Sequence, residues 1–466
     1  MPKRPLKFEN MNDSKLLFTV DGHLDLATNA MTLNRDLTQN VDYLRNLEKA
    51  LGLTDFQDRG KGTVSLPELR KGNIGLVIST LISRYSSTGE KIEIMDLPGW
   101  HSPEQAFANA MAQLEWYRQM ELIGEMKAIT TRKELKAHIS KWNGEEYMDK
   151  KPIGYILALE GADSIVNLDY LYLYHEKGLR SIGISHFGMG RYAAGTHSDG
   201  SGLTKKGVEL LNEMNSLSMF LDMTHFTDKG FYQALDIYDG RIIASHQNCR
   251  SLVEGERQFT DDQIKCVIER GGIIGGALDA WMLHPNFQMN QDDPKEMGIG
   301  LEKLVDHFDH ICQLSGNCRH IGFGSDLDGL FGLEQTPYDM NTIADLQKFQ
   351  SILKSIIPLD CKTDINNNLY NANSKYIDNS RLLADFWRDY IKADNNEQME
   401  ISEICDIYND WYKNHTGFIF MDENTLKTYL SHFHDISVNG RYINKLKCAL
   451  WNKYDEVNTV FEELKS

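Results

Sequence analysis

The chain has 466 residues, 41% hydrophobic and 10% aromatic, which is enough for one large globular domain with additions or for two domains. Its 67 acidic and 49 basic residues give a formal net charge of -18, which argues against nucleic acid or an anionic membrane as the main partner. The seven cysteines form no CxxC pair, and no stretch approaches the roughly 18 apolar residues of a membrane span. Since the first residues also lack the apolar core of a secretory signal, we expect a cytoplasmic protein.

Short β-branched runs alternate with longer helical patterns between residues 15 and 330. The predicted strands are residues 15–20, Ile74–Ile82, Ile153–Glu160, 179–186, 218–225, 241–246, 273–280 and 320–326. The predicted helices between them cover residues 103–124, 169–178, 203–217, 230–240, 259–272 and 300–314. Eight strands separated by helices predict an α/β fold, a (β/α)8 barrel of the TIM type, although a doubly wound open sheet shows the same alternation.

The placement of polar side chains favours the barrel. Metal-type or acidic residues stand at or just past the carboxyl ends of six predicted strands: His23 with Asp25, Glu160, His186, His225, His246 and Asp326. In a barrel these ends converge on one mouth, whereas in an open sheet they spread along an edge.

From about residue 330 the character of the sequence changes. Residues 360–380 are rich in asparagine and are typical of a loop or insertion. Beyond them, residues 382–392, 402–413 and 423–464 show mostly helical periodicity. We therefore predict a barrel over residues 1–345, followed over residues 346–466 by the insertion and a helical C-terminal extension packed on the barrel.

Five of the side chains at the predicted mouth have the chemistry of metal ligands. His23 and Asp25 are two positions apart, so an extended backbone directs both to the same side. Glu160 closes a strongly apolar strand, where a carboxylate is costly to bury without a cation or several donors. His225 and His246 end consecutive strands, which are neighbours in a barrel.

Imidazole and carboxylate ligands without thiolate fit zinc, with manganese or cobalt as substitutes. Five ligands are too many for one catalytic zinc with an open position, but they suit two ions with Glu160 as a bridge. A site of two metals holds a bridging hydroxide at neutral pH and polarises a carbonyl, which favours hydrolysis.

The same residues carry a family resemblance. The segments DGHLD, LEGADSI, GISHFGMGRYAAGTH, LDMTHF, ASHQNCRSL, ERQFTDDQI and GFGSDLDG follow one another in order at barrel-strand spacing. This series resembles the membrane dipeptidase (renal dipeptidase) family of zinc metallopeptidases over roughly residues 15–345. The resemblance implies a (β/α)8 barrel, a binuclear zinc site and hydrolysis of dipeptides, and a homodimer is possible.

The resemblance also implies a role for each ligand. His23 and Asp25 would hold one zinc, His225 and His246 would hold the other, and Glu160 would bridge the two ions.

Three further residues match positions of the family that contact substrate. His186 would contact the region of the scissile carbonyl and stabilise the tetrahedral oxyanion. Arg257 would bind the C-terminal carboxylate of the substrate, with an alternative role as a helix-cap arginine paired with Glu254 or Glu256. Asp326 would face the substrate amine and handle the proton.

Asp328 is the rival of Asp326 for that role, and Arg250 is expected to position a loop rather than to touch substrate. The sequence also departs from the family pattern. Ala162 and Asp163 replace a small residue and histidine of the usual EGxHS, and a GGN-x-LR-like helix is not found after the last strand.

These observations predict zinc-dependent hydrolysis of dipeptides through a metal-bridging hydroxide, at a site that holds two Zn²⁺ ions per chain. The alternative is an amidohydrolase-type hydrolysis of another small amide or a lactone at the same two-metal site. A third hypothesis is a binding or structural module with a vestigial site, which the presence of all five ligand positions argues against.

Overall fold

The computed structural model describes residues 16–86, 99–144, 151–349 and 351–352, together with the backbone of three strands nearer the C-terminus. The chain divides into two compact units, Met1–Ile356 and Ile357–Ser466. The predicted boundary at residues 345–346 and the predicted packing of the second region on the barrel stay predictions.

Nine strands of the first unit form one parallel sheet. They are β1 (Thr19–Leu24), β2 (Ile74–Ile82), β3 (Met126–Ala128), β4 (Ile153–Glu160), β5 (Leu179–Gly183), β6 (Phe220–Asp222), β7 (Arg241–Ile243), β8 (Ile274–Gly276) and β9 (Ile321–Phe323). The main path runs β7-β6-β5-β4-β2-β1-β9-β8. Ala244, directly after β7, forms a parallel bridge with Ile274 of β8 and so joins the two ends of the path. Eight parallel strands therefore close into a barrel, and the (β/α)8 prediction is confirmed.

Strand β3 is absent from the prediction. It pairs with residues 153–155 of β4, whereas β5 pairs with residues 157–160 farther along. Since β2 pairs with β4 from Gly154 to Glu160 on its other side, β3 occupies the remaining edge of β4 near its start. Three residues are too few for a periodic signal.

Strand β1 begins and ends four residues later than predicted. The segment Asp21-Gly22-His23 has turn-like composition, which explains the error. In the barrel, however, Gly22 meets neighbouring backbone, since a Cβ there would lie 2.9 Å from the carbonyl oxygen of Phe323. The strand therefore continues through His23, which places that imidazole on the barrel itself.

The helices surround this sheet. They are α1 (Leu26–Met31), α2 (Val41–Ala50), α3 (Leu66–Lys71), α4 (Pro103–Leu122), α5 (Arg132–Trp142), α6 (Leu168–Glu176), α7 (Lys205–Ser216), α8 (Asp228–Ile237), α9 (Asp261–Glu269), α10 (Ala280–Leu283) and α11 (Glu302–Ser315), followed by a 3-10 helix (Ile343–Lys348). Thr204 and Thr260 accept backbone N–H groups at the starts of α7 and α9, as their positions in the sequence predict.

The core lies on both faces of the longest strands. Nearly every residue of β2 and β4 is buried, as expected for parallel strands covered by helices outside and by side chains inside the barrel. Tyr117 of α4 and Tyr174 of α6 are fully buried against this layer. This rigid layer ends at Glu160, the last residue of β4.

The second unit contains an antiparallel sheet of β10 (Ile391–Glu400), β12 (Tyr442–Cys448) and β11 (Val438–Asn439), in that order. The helical prediction is therefore wrong where its segments overlap these strands. Ile391 pairs with Cys448, and a partner so distant in sequence leaves no mark on local periodicity. The asparagine-rich segment 360–380 and the predicted helix 402–413 lie outside the described residues.

Among the residues that the structure describes, no helix combines the length and the apolar character needed to cross a membrane.

Asp328 fastens the segment between α2 and α3 to the barrel. Its Oδ1 accepts hydrogen bonds from the backbone N–H and the hydroxyl of Thr63 at 2.6 and 2.7 Å, and its Oδ2 accepts one from the N–H of Val64 at 2.9 Å. The side chain is buried, and Arg35 lies 4.0 Å away. These bonds direct the carboxylate away from the mouth of the barrel.

Replacing Asp328 by Ala should therefore lower the free energy of unfolding by about 2–4 kcal/mol, because buried N–H donors lose their acceptor. Urea denaturation measures the change. Asp236→Ala, on an exposed position of α8, is the control and should shift the midpoint little. Equal effects of the two substitutions would contradict the structural role.

Candidate metal centre

The carboxylate of Glu160 is the centre of the site. Its Oε1 lies 3.4 Å from Nε2 of His186, 3.3 Å from Nε2 of His225 and 3.4 Å from Nε2 of His246. Its Oε2 lies 3.2 Å from Nε2 of His23. The barrel thus brings together four imidazoles from the carboxyl ends of four different strands, and all four direct Nε2 at one carboxylate.

Two further carboxylates complete the cluster. Nε2 of His23 is 3.5 Å from Oδ1 of Asp25 and 3.9 Å from Oδ1 of Asp326. The hydroxyl of Thr80 donates a short hydrogen bond to Oδ1 of Asp25 and fixes that side chain. All seven polar residues predicted at the strand ends therefore lie at one place.

Hydroxyl groups hold the imidazoles from behind. Ser245 Oγ lies 3.1 Å from Nδ1 of His23 and 2.9 Å from Nδ1 of His246, and Thr196 Oγ1 lies 3.1 Å from Nδ1 of His225. When Nε2 of a histidine binds a metal, Nδ1 carries the proton and donates it to such an oxygen. The observed contacts match this tautomer in all three rings.

Burial and charge oppose each other in this cluster. Burial disfavours the ionised form of Glu160, but the imidazoles of His23 and His186 outweigh it and hold the pKa of Glu160 well below its ordinary value. Burial also disfavours a charged His23, but Glu160 and Asp25 raise the pKa of His23 well above its ordinary value. Glu160 and Asp25 thus favour a positive charge at the position of Nε2 of His23.

The donor set fits a metal. Burial lowers the pKa of both His225 and His246 well below the ordinary value, so these rings are neutral and have lone pairs for a cation. Nε2 of His23 is buried and makes no hydrogen bond to any group among the described residues. The part of the chain that the structure describes contains three overlapping groups of residues, and within each group the ligand atoms lie within 4.8 Å of one another. The groups are His23 with Asp25 and Glu160, His23 with His246 and Asp326, and Glu160 with His186 and His225. Imidazole and carboxylate donors at such spacing are typical of zinc and related ions.

Arg257 lies beside the cluster and is buried. Its Nη1 donates to Oε1 of Gln247 at 2.6 Å, and its Nη2 donates to the carbonyl oxygen of His246 at 3.0 Å. The alternative pairing with Glu254 or Glu256 is not observed, and Glu256 instead contacts His197 at 3.0 Å. The guanidinium is thus held next to a candidate metal ligand.

The backbone is strained where two of the site residues stand. His225 and Asp326 have φ values of +66° and +57°, which non-glycine residues seldom adopt. Burial raises the pKa of Asp326 well above its ordinary value, so this acid is suited to hold a proton. Asp328, its rival, is bonded to Thr63 and faces away.

A cavity that is open to solvent lies in front of the cluster. Its polar lining includes Glu160, His186, Arg257, Asp326 and Asp279. Its apolar lining includes Phe187, Trp281 and Phe331. The cavity therefore combines titratable groups with apolar walls.

Several residues of the site were not predicted. Asp279 follows β8 and obeys the rule that identified the others, a polar side chain just past a strand, so the sequence contained its signal. Ser245 and Thr80 lacked a signal, because a small hydroxyl residue in a strand is common and their role depends on the partners that the barrel supplies.

The two other residues singled out in the sequence lie outside the cluster. Asp163, in place of the family histidine, is buried and accepts the backbone N–H of Tyr85 and of Arg191. Arg250 pairs with Asp228 at 2.7 Å and donates to the carbonyl oxygen of Gln258, which agrees with a role in positioning a loop.

Comparison with known proteins identifies the family. The family model described as membrane dipeptidase (peptidase family M19) matches residues 13–359. The chain belongs to the membrane dipeptidase family. The membership accounts for the barrel and for the metal-ligand cluster at its mouth.

The curated relatives of this chain are distant in sequence. An uncharacterized protein in the PQQ-III 3' region of Acinetobacter calcoaceticus is 31% identical over 35% of this chain and 52% of its own length. An uncharacterized dipeptidase of Schizosaccharomyces pombe is 28% identical over 44% of this chain and 47% of its own. The chain thus spans about half the length of these two curated relatives.

Solved structures share the fold. The crystal structure of dipeptidase AC, a metallopeptidase of family M19, superposes with a TM-score of 0.58 at 24% identity and covers 73% of this chain and 92% of its own. This likeness agrees with the closed barrel described above.

Replacing Ser245 by Ala removes the oxygen that Nδ1 of both His23 and His246 contact. We expect the affinity for zinc to fall about tenfold to a hundredfold, as is usual when the partner of a ligating histidine is lost. Competition with a zinc-binding dye measures this.

Ser181→Ala, which removes another buried hydroxyl from the barrel, is the matched control and should leave the affinity unchanged. A zinc affinity of the Ser245 variant equal to that of the control would show that the hydroxyl does not orient the two rings.

Proposed function

We propose that this protein is a binuclear zinc dipeptidase. The observation that carries the proposal is the position of the Glu160 carboxylate, which lies within 3.4 Å of Nε2 of four histidines and offers one oxygen toward His23 and the other toward His225 and His246. This division of its two oxygens supports a bridging role for Glu160.

His23 and Asp25, whose ligand atoms lie close to Glu160, would hold one zinc. His225 and His246, whose Nε2 atoms both lie within 3.4 Å of Oε1 of Glu160, would hold the other, with manganese or cobalt as substitutes. Two such ions would supply a hydroxide nucleophile at neutral pH and would polarise a carbonyl group. This chemistry supports hydrolysis of an amide bond.

The charged residues around the cavity support a short substrate bound at both ends. Arg257, held by Gln247 and by the backbone of His246, would bind the C-terminal carboxylate of the peptide. Asp326 would face the amino group at the other end. Since the two groups line one small cavity, the peptide between them would contain two residues.

The remaining side chains would handle charge and protons. His186 lies 3.4 Å from Glu160 and lines the cavity, so it would donate to the oxygen that becomes negative at the scissile carbonyl. Desolvation raises the pKa of the partly buried Asp326 well above its ordinary value, and this acid would pass a proton to the leaving amine.

The test compares substrates that differ in length or in the group at their C-terminus. Zinc-loaded protein should hydrolyse alanyl-alanine but neither trialanine nor alanyl-alanine amide at a comparable rate. Arg257→Leu should raise KM for alanyl-alanine by about tenfold to a hundredfold, because a hydrogen-bonded ion pair is lost. Steady-state kinetics measures both effects.

Arg118→Leu, on the outer helix α4, is the control and should leave KM unchanged. Equal rates on dipeptide and dipeptide amide, together with an unaltered KM in the Arg257 variant, would favour hydrolysis of another small amide or of a lactone. Failure of the zinc-loaded protein to cleave any of these compounds would favour a vestigial site.

A further inference from the structure

Asp279 is a buried carboxyl group that the proposed mechanism does not use. It follows β8, lines the same cavity as Arg257 and Asp326, and is 8% exposed. Its Oδ2 accepts a hydrogen bond of 2.6 Å from Nε1 of Trp281. Its Oδ1 is buried and has no hydrogen-bond partner among the described residues. A buried polar atom without a partner needs an explanation, and a bound ligand is one.

The neighbourhood of Asp279 indicates which end of the substrate is near. Arg257 is close enough to interact with it electrostatically, and Arg257 is the proposed site of the substrate carboxylate. Glu334 is a further charged group that acts on Asp279. Burial, reinforced by Glu334, raises the pKa of Asp279 to about 8 in spite of Trp281 and Arg257.

The hydrogen bonds of Asp279 indicate which of its two oxygens carries the acid proton. The indole N–H of Trp281 is only a donor, so Oδ2 must accept and the acid proton resides on Oδ1. An ionised Asp279 would compete with the substrate carboxylate for Arg257 and repel it, whereas the neutral acid does neither. Oδ1 therefore has a proton to donate and needs a hydrogen-bond acceptor.

We propose that Asp279, as a neutral carboxylic acid, donates a hydrogen bond from Oδ1 to the C-terminal carboxylate of the substrate and shares that carboxylate with Arg257. The inference rests on the proposed dipeptidase function and deepens it, since it adds a second residue to the recognition of the substrate's C-terminus. Binding of the carboxylate then depends on the protonation of a group outside the metal cluster.

The experiment compares two substitutions at this position. D279N keeps an acceptor for Trp281 and a donor for the substrate, so KM for alanyl-alanine at pH 7 should stay within about threefold of wild type. D279L removes both, and KM should rise about tenfold or more with kcat little changed, as expected for a lost hydrogen bond to a charged group. D236N on α8 is the control and should match wild type.

The pH profile gives a second readout that does not require the leucine variant to fold. KM of wild type should rise above pH 8 as Asp279 ionises, whereas KM of D279N should rise less. Since the amine of the substrate titrates in both proteins, the ratio of the two KM values isolates the contribution of Asp279.

Three results would overturn the inference: an unchanged KM in folded D279L, a KM for D279N well below wild type, or a ratio of KM values that is constant from pH 7 to 9. If wild type cleaves no dipeptide at all, the proposed function fails and this inference fails with it. Cleavage by wild type with any of the three results leaves the dipeptidase assignment intact and removes only the role of Asp279.

Discussion

The site depends on a carboxylate that is expensive to bury. Glu160 ends an apolar strand, and an ionised carboxylate without compensation would cost several kcal/mol in such a place. Four imidazoles from the ends of four other strands lie within 3.4 Å of it. Those of His23 and His186 favour its ionised form, and the proposed cations would add to this compensation. Because the four histidines belong to four different strand ends, the cluster forms only when the barrel closes.

Closure itself is shaped by backbone contacts next to the cluster. The carbonyl oxygen of Ser245 points at glycines of two other strand ends, since a Cβ on Gly324 or Gly275 would come within 1.7 and 2.0 Å of it. The absence of side chains there allows the end of β7 to approach β8 and β9 closely. The hydroxyl of the same serine then reaches both His23 and His246. Ser245 therefore lies where three strands pack closely and also contacts two candidate ligands.

The barrel could be predicted because eight apolar runs alternate with helices, and six of these runs follow one rule, in that each ends in a metal-type or acidic side chain. The same rule brought Glu160 and the histidines to one mouth, and the ordered motifs added Arg257. The bounds of β1 were misplaced by four residues, because a glycine and two polar residues imitate a turn there. The strands from Ile391 onward were missed, because their partners are distant in sequence. Asp279 obeyed the rule but lay in a glycine-rich stretch without a metal-type neighbour. Its unpartnered oxygen became evident only in the folded cavity.

The most direct test of two cations bridged by Glu160 is anomalous diffraction from crystals grown with zinc, with data collected on both sides of the zinc absorption edge. The account predicts two anomalous peaks, one within bonding distance of His23 and Asp25 and one within bonding distance of His225 and His246, each contacted by one oxygen of Glu160. A single peak, or peaks that the Glu160 carboxylate does not contact, would contradict it.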